Sequence, residues 1–269
     1  MKRSLWMLAL VVPLSAMAQG SGSKDAKPAA PAAAPAKPEA GVNWEGQILR
    51  ATGAGAPDMK ASNPAQARLG AERAAKMDAF RNLLEQAKGV QISAGRTVGD
   101  AMSTEEIRGR VEGVIRGFKV VNKRYYSDSG VEMEVEVPLA ALTAVLLPGP
   151  DTAPPINTLG SRKYTGLVVD ARGLGAKPVL APRLLDGAGK AVYGAEVLSV
   201  ETRQSAAVAA WFKSVEDAQK SALVGEKPLV VKAAQLQGSD LVLPEDALKQ
   251  LNEANASFLA EGRVAIVTQ

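Results

Sequence analysis

The chain has 269 residues, 46% of them apolar, which is enough to bury one sizeable core or two smaller ones. It contains no cysteine, which excludes disulfides, thiolate metal sites and a cysteine nucleophile, and no histidine, so the commonest general base and the usual catalytic triad are missing. The formal charge of +4 falls to +2 once Lys2 and Arg3 are set aside with a leader, and the basic residues form no run, which argues against nucleic acid as a partner.

Lys2 and Arg3 precede an apolar run from Leu5 to Leu14, and Ala16-Met17-Ala18 supplies the small residues that a signal peptidase needs. This predicts a signal peptide over residues 1–18, removed before Gln19. The run is shorter than the ~20 residues that span a bilayer, and no later run is longer, so no transmembrane segment is expected in the mature chain. Residues 19–41 are Ala/Pro-rich, with Pro28, Pro31, Pro35 and Pro38, and read as a disordered linker: a tether through the cell wall or a plain spacer.

A first domain is expected over residues 42–147. Trp44, Gly46 and Ile48 alternate with Glu45, Gln47 and Leu49 as a first strand, and Thr52 to Pro57 reads as a Gly-rich exit from it. Gly53 and Gly55 make a lone G-x-G without the dinucleotide fingerprint, so a flexible loop is expected there. Ser62 and Asn63 offer N-cap oxygens, Pro64 suits a first helical position, and Gly89 stands where a left-handed residue would end the helix. Gly70, Ala74, Met77, Phe80, Leu84 and Ala87 would form its buried stripe, with i,i+4 pairs Glu72–Lys76 and Arg81–Glu85 on the wet side. Val90 to Ile92 could be a short strand or the packed end of the turn.

Ser103 and Glu106 have capping-box spacing ahead of Ile107, Val111, Val114, Ile115 and Phe118, which predicts a second helix. Gly109, Gly113 and Gly117 fall on one face of it, each costing about 1 kcal/mol against alanine. Close approach of the first helix or of the sheet would offset that penalty, making this a packing or assembly face. Val131, Met133, Val135 and Val137 then alternate with Glu132, Glu134 and Glu136, one face in a core and the other a row of carboxylates. With Ser127 to Gly130 as the turn and Lys119 to Tyr126 as the partner strand, a hairpin follows, its glutamates on a solvated face paired to Lys123 or Arg124.

The positions Ala67-Arg68, Ala71, Ala74-Ala75, Asp78-Ala79, Arg81-Asn82-Leu83, Glu85, Gly89-Val90 and Gly113-Val114-Ile115-Arg116-Gly117, followed by the Val-rich hairpin, carry a resemblance over roughly residues 43–142. This stretch resembles the twenty-kilodalton (Lpp-type) bacterial lipoprotein family, and is similar to the N-terminal domain of flagellar assembly protein T (FlgT) and to the flagellar lipoprotein FlgP. The resemblance implies an α+β fold, a small antiparallel sheet packed on two helices in a dodecin-like arrangement, and a non-enzymatic envelope role, in family members often the building of rings around the flagellar motor. The lipidated cysteine of the lipoprotein members is absent here, and Ala16-Met17-Ala18 stands in its place.

Pro148, Pro150, Pro154 and Pro155 mark a second linker over 148–161, and a second α/β domain is expected over 162–269. Tyr164 to Asp170 and Val179 to Leu185 read as strands, with Asp186 to Gly189 as a turn and Lys190 to Val200 answering as a hairpin. Asp170, Arg172 and Gly173 could hold an anion or sugar, or could simply be turn residues. Gln204 to Leu223 reads as an Ala-rich helix broken near Ser214, with Trp211 and Phe212 in the core. Lys227 to Leu236 and Asp240 to Leu243 read as strand, Pro244 opens a last helix, and Arg263 to Val267 forms a terminal buried strand.

The expected protein is therefore an exported, non-enzymatic envelope protein without a cofactor or metal, in the periplasm or at the outer-membrane periphery of a Gram-negative bacterium. Its expected role is that of a structural or assembly factor at the flagellar base, with protein partners and self-association. The alternative is a periplasmic module that binds peptidoglycan or a small polar ligand through residues 170–175.

Overall fold

The computed structural model describes residues 40–147 and 156–268. The expected signal peptide, the first linker up to residue 39 and the prolines Pro148, Pro150, Pro154 and Pro155 lie outside the described residues.

The first region is α+β. In chain order it comprises β1 (Gly41–Asn43), β2 (Ile48–Gly55), α1 (Pro64–Lys88), β3 (Gln91–Ser93), β4 (Arg96–Thr97), α2 (Val98–Ala101), α3 (Glu105–Arg116), β5 (Lys119–Tyr125), β6 (Val131–Pro138) and α4 (Leu139–Leu146). An antiparallel sheet in the order β1-β2-β6-β5 packs one face against α1. Asn63 caps α1, its side chain accepting from the Gln66 amide, and Pro64 occupies the first turn, as expected. Gly89 is right-handed (φ −75°) and not left-handed, because its amide bonds back to Gln86 and Ala87 and continues the helical turn.

The buried stripe of α1 lies about one position away from the expected one. Ala67, Ala71, Ala75, Ala79, Leu83 and Ala87 face the sheet, while Met77 is 55% exposed. An alanine ladder lets helix and sheet approach closely, and β2 completes the contact with glycine. Thr52 to Gly55 is accordingly the end of a strand and not a flexible exit: Gly53 and Gly55 point at α1, where a Cβ would lie 2.2 Å from the Ala79 nitrogen and 1.9 Å from the Ala71 oxygen. Trp44 to Gln47, expected as strand, is the turn between β1 and β2, closed by the Gly46 amide donating to Asn43 Oδ1 at 2.7 Å. The expected capping box at Ser103 is absent from α3, which starts after Thr104; the box forms at Thr97 and Asp100, ahead of α2.

The second region comprises β7 (Arg162–Lys163), β8 (Gly166–Asp170), β9 (Leu184–Leu185), β10 (Ala191–Tyr193), α5 (Val200–Ser205), β11 (Ala210–Phe212), α6 (Val215–Lys220), β12 (Pro228–Lys232), β13 (Gln235–Gln237), β14 (Asp240–Val242), α7 (Glu245–Glu253), β15 (Ala254–Asn255), α8 (Ser257–Ala260) and β16 (Val264–Val267). Its centre is a parallel sheet in the order β11-β16-β8-β12. Both faces are buried over its inner strands, and only the β12 edge exposes Val230 and Lys232 on one of them. Leu167, Val169, Trp211, Leu229, Val231, Val264 and Ile266 enter the larger core, and Val168, Ala210, Phe212, Ala265 and Val267 a smaller one with Ala218 of α6. The single broken helix expected over 204–223 is thus helix, strand, helix. Trp211 and Phe212 are core residues on opposite sheet faces, and Ser214 caps α6 by accepting from the Asp217 amide. The stretch 179–183 forms no strand; only Leu184 and Leu185 of that expected run pair, with β10 and β14.

The two regions share contacts within one compact unit. Leu180 and Ala207 are buried in the first core, Trp44 packs against both, and the Leu180 and Ala181 amides donate to Gln91 and Ile92 carbonyls, each at 2.9 Å.

Candidate functional site

The first candidate is the edge of the antiparallel sheet. β1 pairs with β2 only as far as Arg50, which would leave the later backbone groups of β2 open. Side chains of α1 close that edge: Asn82 Nδ2 donates to the Thr52 oxygen at 2.8 Å, and Asp78 Oδ2 accepts from the Ala54 amide at 2.9 Å. At the other end of the sheet β5 pairs, among the described residues, with β6 alone, and its seven residues are largely exposed. Val121 is 48% and Tyr125 47% exposed, and the register slips at Val121. A long open edge is a template for another strand.

The carboxylate row on the sheet's other face is covered instead of solvated. Glu134 is buried, with its Oε1 accepting from Arg124 at 3.0 Å; Glu136 pairs with Arg50 at 3.3 Å and Lys119 at 3.5 Å, and Arg124 also reaches Glu132 at 3.7 Å. Arg124 is the expected partner. Lys123 is not; it turns to Glu72 of α1 at 3.6 Å. Glu72 also accepts from the Tyr125 hydroxyl at 2.8 Å, a bond that raises the tyrosine's pKa above its ordinary value, and Lys76 lies over the Phe118 ring. The expected Glu72–Lys76 pair gives way to these longer-range contacts, and Glu85 pairs with Lys88 instead of Arg81.

The glycine face of α3 meets no other element's backbone among the described residues. A Cβ on Gly109 or Gly113 would meet no atom within 4 Å, and one on Gly117 would meet only carbonyl oxygens of its own helix end. The expected packing of this face on the first helix or the sheet is therefore not found, and two of its three glycines look into open space.

Asp170, Arg172 and Gly173 do come together, at the carboxyl end of β8 in the parallel sheet, the place where such sheets bind ligands. The guanidinium of Arg172 is already engaged: Nε donates to Asp170 Oδ1 at 2.9 Å and Nη2 to Oδ2 at 2.8 Å, with the Arg172 amide also on Oδ1. This fork holds the Asp170 carboxyl below the usual carboxylate range against the opposing effect of burial. Gly173 and Gly175 have φ of +80° and +71°, so they are turn glycines.

Sequence reasoning missed a polar cleft of about 390 Å³ between the two regions. The β3–β4 hairpin supplies Ser93 and Arg96, and the second region supplies Arg183, Glu196 and Ser239. Arg183 donates through Nε and Nη2 to Asp240 Oδ2, which raises its pKa further, and the Ala94 amide donates to Ser239 Oγ at 3.0 Å across the seam. These residues are scattered over almost 150 positions, with no local motif, so only the pairing of the two regions reveals them. Among the described residues no group of three or more Asp and Glu could hold a metal ion, and no helix is long and apolar enough to cross a membrane.

Residues 166–269 match the family model described as Treponema pallidum Tp0624, second domain. The match covers less than half of the chain and begins at the first residue of β8, so it takes in the whole parallel sheet. No curated protein matches the chain.

Proposed function

We propose that this is an exported, non-enzymatic protein of the bacterial envelope that acts as a structural or assembly factor, the flagellar base being the place that the resemblance to the Lpp-type and FlgT-like proteins implies. The observation that carries this reading is the asymmetry of the sheet edges. Asp78 and Asn82 close one, while the outer side of β5 pairs with no strand among the described residues.

The occupant we assign to that edge is β5 of a second copy. Pairing two β5 strands antiparallel about the central Asn122 would set Lys119 opposite Tyr125, Val120 opposite Arg124 and Val121 opposite Lys123. No cation then stands directly opposite another, so the self-complementary contact avoids the like-charge penalty while using the same strand on both sides.

Light scattering on the chain from Gln19 onward, across a range of concentrations, tests this. A discrete multimer or a growing ring is expected, and Val121→Lys, which adds a charge at the open edge, should shift it toward monomer. A strict monomer at every concentration would overturn the self-association.

A further inference from the structure

The cleft between the two regions is lined by residues of one chain. Two oppositely charged side chains line it without a direct ion pair or side-chain hydrogen bond of their own among the described residues. Arg96 stands exposed on β4; its charge is felt by Asp100, but its guanidinium makes no hydrogen bond or direct ion pair among the described residues. Glu196 is half-buried and its charge acts on the Arg183 guanidinium, but its carboxylate makes no hydrogen bond or direct ion pair among the described residues. Its carboxylate lies over Gly194, where a Cβ would sit 2.7 Å and 2.9 Å from the two oxygens. Glycine therefore leaves the room that this position of Glu196 requires.

The remaining walls are fixed and small. Arg183 spends Nε and Nη2 on Asp240, so its Nη1 is left for another acceptor while Asp240 is neutralised. Ser93 and Ser239 offer hydroxyls, and Ala181 and Ala195 offer methyl-sized apolar surface. The main-chain bonds from Leu180 and Ala181 to β3, with Ala94 to Ser239, hold the two sides together before anything binds. Such a preformed concavity at a junction, with few convergent polar groups, is what small-molecule sites look like.

We propose that this cleft binds a small zwitterion of the amino-acid or short-peptide class, its ammonium on Glu196 and its carboxylate on Arg96 and the free Nη1 of Arg183. A simple anion would be repelled by Glu196 and a simple cation by the two arginines; a molecule with both charges satisfies each side.

The test is calorimetric titration of the chain from Gln19 onward with L-alanyl-L-alanine, its N-acetyl derivative and its C-terminal amide. The free dipeptide should bind saturably in the micromolar to millimolar range, and each blocked form about 10-fold more weakly, since each loses one charge-assisted contact. Glu196→Gln should abolish the preference for the free dipeptide over the acetylated one, and Arg96→Met the preference for the free dipeptide over the amide. Both side chains lie at the surface of the cleft, and an unchanged thermal midpoint checks that each variant is folded. No saturable binding up to about 10 mM dipeptide, equal binding of the three compounds, or binding indifferent to Glu196→Gln would each overturn the assignment.

Discussion

Gly53 and Ala79 meet backbone to backbone: a Cβ on Gly53 would lie 2.2 Å from the Ala79 nitrogen and 2.6 Å from its Cα. Neither partner can yield, since one is in a strand paired along its length with β6 and the other is in the middle of a 25-residue helix. Gly53→Val should therefore destabilise the first region by about 3 kcal/mol or more, through overpacking against main chain instead of a flexible side chain. Urea unfolding followed by circular dichroism measures it, and a loss under about 1 kcal/mol would mean that α1 does not lie this close to the sheet.

The opposite outcome is expected at Gly113. A Cβ there meets nothing within 4 Å, so Gly113→Ala gains helix propensity without a clash and should raise stability by about 1 kcal/mol. The same position separates two roles for the α3 face. If copies pack on it, Gly113→Leu should weaken the multimer seen by light scattering while leaving the monomer's unfolding midpoint intact.

Asp170 and Asp100 make acid stability a readout of two local structures. Arg172 depresses the first, and the Thr97 amide, then its hydroxyl, depresses the second. A carboxyl whose folded pKa lies below its unfolded value of ~3.9 stabilises the protein fully above that value, and the contribution is lost as pH falls through the folded pKa. Asp170→Asn and Asp100→Asn should thus lower the urea midpoint at pH 7, and the gap to the parent should close as the pH is taken from about 4 toward 2. A gap that widens on acidification would reverse the sign and exclude both pairings as native-state stabilisers.

Where one residue carries a local physical preference, the sequence is readable. Asn63 and Pro64 mark the start of α1, the Val131 to Val137 alternation marks β6, and Pro244 with Glu245 and Asp246 marks α7. Where side-chain size competes with backbone proximity, it misleads: Met77 and Phe80 suggest one stripe, yet the helix buries its alanines because Gly53 and Gly55 bring the sheet to them. The short strand Ala210–Phe212 is hidden in an Ala-rich stretch because a buried parallel strand has no alternation to display; both of its faces are apolar. Asp170, Arg172 and Gly173 are near neighbours in the chain and stand together in one turn, whereas Arg96 and Glu196 are 100 positions apart and come to line one cleft only through the seam between the regions.

The last strand supplies the sharpest test of the second region. β16 lies between β11 and β8, so removing residues after Gly262 takes out an inner strand of the parallel sheet and leaves two neighbours with open edges. Val264, Ala265, Ile266 and Val267 are each at most 1% exposed, and they contribute to both cores at once. A chain ending at Gly262 should lose cooperative unfolding and the near-ultraviolet circular dichroism of Trp211, and should aggregate through the freed edges. The Ala207 carbonyl and the Leu198 side chain stand about 3.4 Å from the Cβ position of Gly262, so the cut also falls beside packed structure and not in a free tail. A soluble truncated protein with a sharp thermal transition and an intact Trp211 signal would show that β11 and β8 hold together without β16, and the order β11-β16-β8-β12 would have to be abandoned.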